Sequence, residues 1–168
     1  MDLALADLLL RWTHFIAAII WLGHNYVNVI LRPVFVPLAL ADGPATASLD
    51  LEARARREHA IFRYASIVTW LAGALMLWRQ DRLASAFMLQ GYDALIGAGA
   101  WIGTFMMLNV WLVLWPNQKK TLGFVAATAE ERTHAARITF LSSRANTMLS
   151  IPLLVMMAAG SHGAFILR

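Results

Sequence analysis

Four apolar runs, each about as long as a membrane span, leave this chain few ways to fold. A bilayer core about 30 Å thick is crossed by about 20 predominantly apolar residues in an α-helix. Runs of that kind cover about 8–31, 60–78, 92–115 and 138–167. Lipid offers backbone groups no partner, so each run must satisfy its own hydrogen bonds as a helix. The expectation is an all-α integral membrane four-helix bundle, forming one domain over residues 1–168. Composition agrees: 60% of the residues are hydrophobic and 14% charged, against about 45–50% and a quarter in soluble domains. This composition argues against an ordinary water-soluble domain and excludes a disordered chain.

The connections between runs have their own character. Pro33, Pro37 and the Ala-Asp-Gly-Pro sequence at 41–44 break the chain after the first run, and Ser48 to Glu58 predicts a short charged helix leading into the second. Arg79-Gln80-Asp81-Arg82 is a tight polar link, followed by an amphipathic stretch and Gly91. Pro116-Asn117 is expected to end the third run, with a polar helical connector from Lys119 to Arg137. The first run lacks a basic start and a small-residue cleavage site, so it is expected to stay in the mature protein.

Basic residues set the orientation. The side with both longer loops carries Arg32, Arg54, Arg56, Arg57, Arg63, Lys119, Lys120, Arg132 and Arg137, against Arg11, Arg79, Arg82 and Arg168 on the other. The positive-inside rule places the loop side in the cytoplasm and both termini on the periplasmic or equivalent side of the membrane. These cations lie between apolar runs and form no single patch, so they predict contact with lipid and no nucleic-acid partner. Trp12, Trp78, Tyr92 and Trp115 fall at span ends, where amphipathic rings favour the headgroup region.

The chain has no cysteine. Fe–S clusters, Cys-ligated metals and covalent haem c are therefore excluded, and any cofactor must be held by His, Met, carboxylate or backbone. Polar groups within spans are the candidates. His14, Ala18, Trp21, Asn25 and Asn28 share one stripe of the first helix. His24 lies about 15 Å further along the axis than His14, from ten residues at 1.5 Å each. Antiparallel threading puts His14 and His162 near the periplasmic side, and His24 with His59 near the cytoplasmic side, with His134 in the connector. Two stacked pairs of this kind are compatible with haem b, with His14 and His24 as the first candidate iron ligands. Ala17, Ala18, Gly23, Gly97, Gly99 and Gly103 are small enough to make room. The alternative is plain hydrogen bonding between helices. Arg144, two turns into the fourth helix, calls for a partner such as a haem propionate, an anionic ligand or water, and Asn109 is its candidate neighbour. Arg63 is placed to snorkel to the surface. Gly99 and Gly103 form a small-xxx-small pair that predicts close helix packing.

Three segments carry a resemblance: His14 to Tyr26 (HFIAAIIWLGHNY), Trp101 to Lys120 (WIGTFMMLNVWLVLWPNQKK) and Ser143 to Met157 (SRANTMLSIPLLVMM), with a weaker match in Thr69-Trp-Leu-x-Gly. Together they resemble the membrane domain of the bacterial membrane-bound urate hydroxylases, also called the urate oxidase N-terminal domain. The positions carried over are His14, Trp21, Gly23, Gly103, Thr104, Asn109, Pro116, Asn117, Gln118, Lys119, Arg144, Asn146 and Pro152. The resemblance implies a membrane oxidoreductase that passes electrons to cytochrome c. Full-length members of the family have more membrane helices and a C-terminal cytochrome c domain. With four runs and no cysteine, this chain is expected to be a short form. It would be a haem b electron-transfer component served by a separate cytochrome, or a non-catalytic structural or assembly subunit of a larger respiratory or photosynthetic complex.

Overall fold

The computed structural model describes residues 3–37 and 45–161. The break at 41–44 and His162 lie outside them. Every regular element among the described residues is helical: α1 (Leu3–Leu31), α2 (Ala45–Arg79), α3 (Leu83–Phe87), α4 (Ala94–Leu108), α5 (Trp115–Thr121) and α6 (Ala129–Ser161). A 3-10 turn at Gly91–Asp93 leads into α4, and a π-helical segment at Asn109–Leu114 joins α4 to α5.

Residues Ala4–Leu31, Arg56–Arg79 and Gly91–Thr121 are long and apolar enough to cross a membrane. Their outward faces carry Leu8, Trp12, Phe15, Ile19, Leu71, Trp78, Phe105 and Leu112, each at least half exposed. Water would not tolerate so much contiguous apolar surface, and hydrocarbon does. This is a multi-pass membrane protein. The charged lead at 48–58 is not a separate helix but the opening of α2, which runs unbroken for 35 residues.

Contacts along the rods show antiparallel packing. Arg79 pairs with Asp7 at 2.9 Å, while the ring centres of His24 and His59 are 5.7 Å apart, so α1 and α2 run in opposite directions. Between α4 and α6, a Cβ at Gly99 would meet Met157 at 3.2 Å, and one at Gly103 would meet Leu153 at 3.3 Å. The small residues of α4 therefore admit the side chains of α6, as the spacing predicts. The tightest approach lies elsewhere. A Cβ on Gly97 would stand 1.8 Å from the Ala86 carbonyl, so α3 rests on backbone that only glycine exposes. Trp21, Leu22, Phe62, Ala65, Met106, Val110, Leu114 and Leu153 form the core between the rods.

The helix does not stop at Pro116. In the π-helical segment the Trp115 N–H donates to the Val110 carbonyl, five residues back. Proline has no N–H and its ring crowds the carbonyl four residues before it. A widened turn just upstream relieves that conflict, and the Asn117 amide donates to the Val113 carbonyl at 2.7 Å. The chain thus stays helical to Thr121. The connector from Lys119 to Arg137 is in turn only partly helical: a turn follows Thr121, and α6 starts at Ala129. Its start is a capping box, in which the Thr128 N–H donates to Glu131 at 2.8 Å and the Glu131 N–H to the Thr128 hydroxyl at 3.2 Å.

Candidate functional site

His14 lies at the α1–α2 contact. Its Nδ1–H donates to the Thr69 carbonyl at 2.8 Å. A Cβ on Gly73 would stand 2.9 Å from His14 Cε1, so the imidazole is laid against α2 in a notch that glycine leaves open. Because a carbonyl only accepts, the proton sits on Nδ1 and the lone pair on Nε2. Nε2 has no partner among the described residues. An imidazole held through one nitrogen by a backbone carbonyl, with the other nitrogen free, is what metal-ligating histidines present.

His24 is placed differently. Asn28 donates to its Nε2 at 2.8 Å, Phe62 stacks on its ring at 4.3 Å between centres, and its Nδ1 faces Glu58 at 3.4 Å. The threading brings His59 beside it, edge to face, and His59 Nδ1 is buried without a partner among the described residues. The pair exists, but both nitrogens of His24 are engaged and Phe62 covers one face. Iron could take Nε2 only after Asn28 let go. His24 thus has both nitrogens and one ring face engaged, whereas His14 keeps Nε2 without a partner among the described residues.

Asn109 and Arg144 do not meet. Asn109 opens the π-helical segment and donates to the Asn146 side-chain oxygen at 2.8 Å and the Ser142 carbonyl at 3.1 Å. Asn146 is fully buried and donates to the Met106 carbonyl at 3.2 Å. Two asparagines on facing helices thus use each other and a carbonyl next to the widened turn. Arg144 instead places its guanidinium 3.3 Å over the Phe140 ring and donates to the Arg32 carbonyl. Arg32 is 18 residues from His14, about 27 Å along the helix direction. Arg144 is therefore not at hand for a group bound at His14.

Other polar contacts tie the same rods. Tyr26 donates to Ser150 at 2.9 Å, and Ser150 to the Thr147 carbonyl. Trp70 donates to Thr104 at 2.8 Å. Three participants escaped the sequence reading as site residues. In the sequence, Asn28 stands on the His14 stripe with no evident partner, Phe62 is one apolar residue among many, and Gly73 only ends the Thr69-Trp-Leu-x-Gly string. Thr69 and Gly73, one turn apart, are the two positions that hold His14, so that short string did contain a signal.

The sequence profile described as urate oxidase N-terminal matches residues 81–167. That range begins just before α3 and takes in the Asn109–Asn146 link and Arg144, but not His14, His24 or His59. No curated protein and no solved structure matches the chain.

Proposed function

Because the chain belongs to the urate oxidase N-terminal family, we propose that it is a urate hydroxylase-like membrane domain that serves as a haem b redox component and passes electrons to a cytochrome c. The observation that carries this reading is the His14 imidazole, fixed by the Thr69 carbonyl with Nε2 free. Bound haem b would supply one-electron chemistry. The chain's own contribution is to fix the tautomer through Thr69 and to orient the ring through the Gly73 notch. His162, just beyond the described residues, is the second ligand in this proposal. The His24–His59 pair serves as a polar link between α1 and α2.

Topology belongs to the same proposal. A fourth crossing, by α6, returns the chain to the side from which α1 starts. The excess of Lys and Arg on the loop side then sets that side in the cytoplasm of a bacterial inner membrane, with both termini periplasmic.

Detergent-purified protein tests the reading with one visible spectrum. A Soret band that shifts on reduction, lost in His14→Ala and kept in His24→Ala, is the expected result. A colourless, haem-free preparation of folded protein would overturn it and leave the structural-subunit reading.

A further inference from the structure

Arg63 lies about two turns inside the second span and is 9% exposed. Its guanidinium carbon stands 3.7 Å over the Trp115 ring and 5.1 Å from the rings of both Trp111 and Tyr64. Three aromatic faces thus surround one cation. Ring faces attract the charge but do not use the N–H groups around the guanidinium edge, which lie in its own plane. Nε and Nη1 of Arg63 are buried without an acceptor among the described residues, and so is the indole N–H of Trp111. The ion pairs among the described residues do not reach it: Glu58 faces His24, Asp7 pairs with Arg79 and Asp93 with Arg82.

A cluster of donors without an acceptor, in an apolar setting, calls for a group that only accepts. Its surroundings extend the same sign of charge. Lys119 Nζ is 5.8 Å from the Trp115 ring. Arg56 stands 3.8 Å over Phe124, and Phe124 lies 6.3 Å from Trp115. Cations and rings alternate along this face. Depth narrows the choice. Arg63 is seven residues from Arg56, the start of its span, and Trp115 and Lys119 are within the last turns of theirs. Seven residues correspond to about 10 Å, which an arginine side chain bridges to the headgroup layer.

We propose that Arg63, with Trp111 and Lys119, binds a phosphate-type oxyanion at the loop-side membrane surface, carried by an anionic phospholipid headgroup or as the free ion. A phosphate offers several acceptor oxygens and matches the guanidinium edge in two-point contact. The site is independent of His14 and of any haem there.

The test uses the full chain, stripped of lipid in mild detergent. Native mass spectrometry reads binding of phosphatidylglycerol, of diacylglycerol with the same acyl chains, and of inorganic phosphate. One phosphatidylglycerol per chain, with diacylglycerol at least tenfold weaker, is expected. Arg63→Gln should lower that binding at least tenfold and Lys119→Gln about two- to threefold. Inorganic phosphate that displaces the lipid assigns the site to the oxyanion from either source, and lipid binding that resists it assigns the headgroup. If Arg63→Gln fails to fold, Arg63→Lys and Trp111→Phe keep the cation and the ring while removing donors, and both must weaken binding. Equal binding of diacylglycerol and phosphatidylglycerol, or binding unchanged in the folded variants, overturns the proposal.

Discussion

The imidazole of His24 and the phenyl ring of Phe62 are stacked, with 4.3 Å between their centres and 27° between their planes. His14, ten residues earlier on the same helix, has no such cover. That difference separates two histidines that look alike in sequence: one is closed by packing and by Asn28, the other is held by a carbonyl and left with a free nitrogen. Phe62 is 2% exposed, so Phe62→Ala should cost about 3–5 kcal/mol of stability. A thermal melt followed by circular dichroism in detergent measures it. His14→Ala should have a much smaller effect on the same melt.

Gly73 offers a separate handle on the proposed haem site. A methyl group there would stand 2.9 Å from His14 Cε1, which forces the imidazole away from the Thr69 carbonyl. Gly73→Ala should therefore reduce bound haem per chain several-fold while His14 itself is intact. Pyridine haemochrome analysis against protein concentration gives the ratio. An unchanged ratio would show that the orientation of His14 does not govern binding.

Asn146 has no exposed surface and joins Asn109 to the Met106 carbonyl. Asn146→Ala leaves the Asn109 amide short of one acceptor and opens a small space beside the π-helical segment. A loss of about 1–3 kcal/mol is expected from the unsatisfied group. Hydrogen exchange should rise first at Val110 to Trp115, where the backbone ladder is already widened.

Gly97→Ala is predicted to be among the most damaging single-methyl additions. Its Cβ would lie 1.8 Å from the Ala86 carbonyl oxygen, and backbone cannot step aside as a side chain does. Displacing α3 should cost about 1–3 kcal/mol and raise protease sensitivity between Arg79 and Gly91. Gly23→Ala, with nothing within 4 Å of the added atom, is the matched control and should leave both measurements unchanged.

Glu131 governs a pH effect at the start of α6. The Thr128 backbone N–H, then the Thr128 hydroxyl and the charge of Lys120, hold its carboxyl below the ordinary glutamate value. A lowered folded pKa gives a contribution that is full above the unfolded value of about 4.3. It is lost as the pH falls through the lower folded value. Exchange of the amides from Thr128 to Arg132, corrected for intrinsic rates, should accelerate over that acid window. Glu131→Gln keeps an acceptor oxygen but does not titrate, so the acceleration should vanish.

Much of this architecture was legible in the residue order because its causes are local. Apolar runs of span length dictate helices, Gly99 and Gly103 mark where α6 comes close, and antiparallel threading puts His24 beside His59. Pro116 was misleading for an equally local reason. Proline predicts a stop, and the sequence does not reveal that a five-residue hydrogen-bond step upstream makes room for it. Arg144 and Asn109 looked like neighbours by depth, yet they face different directions around their helices and find other partners.

The sequence alone determined that this chain is helical and apolar enough to lie in a membrane, and its motifs placed it in its family. Hydrophobic length, backbone hydrogen bonding and turn chemistry act within one segment, so they can be read along the chain. Tertiary structure decided that His14 keeps a free nitrogen while both nitrogens of His24 are engaged, that the two asparagines pair, and that Arg63 lies among three aromatic rings. Those outcomes depend on how far each helix is rotated about its axis and how closely its neighbour approaches, and both are set by packing between segments distant in sequence.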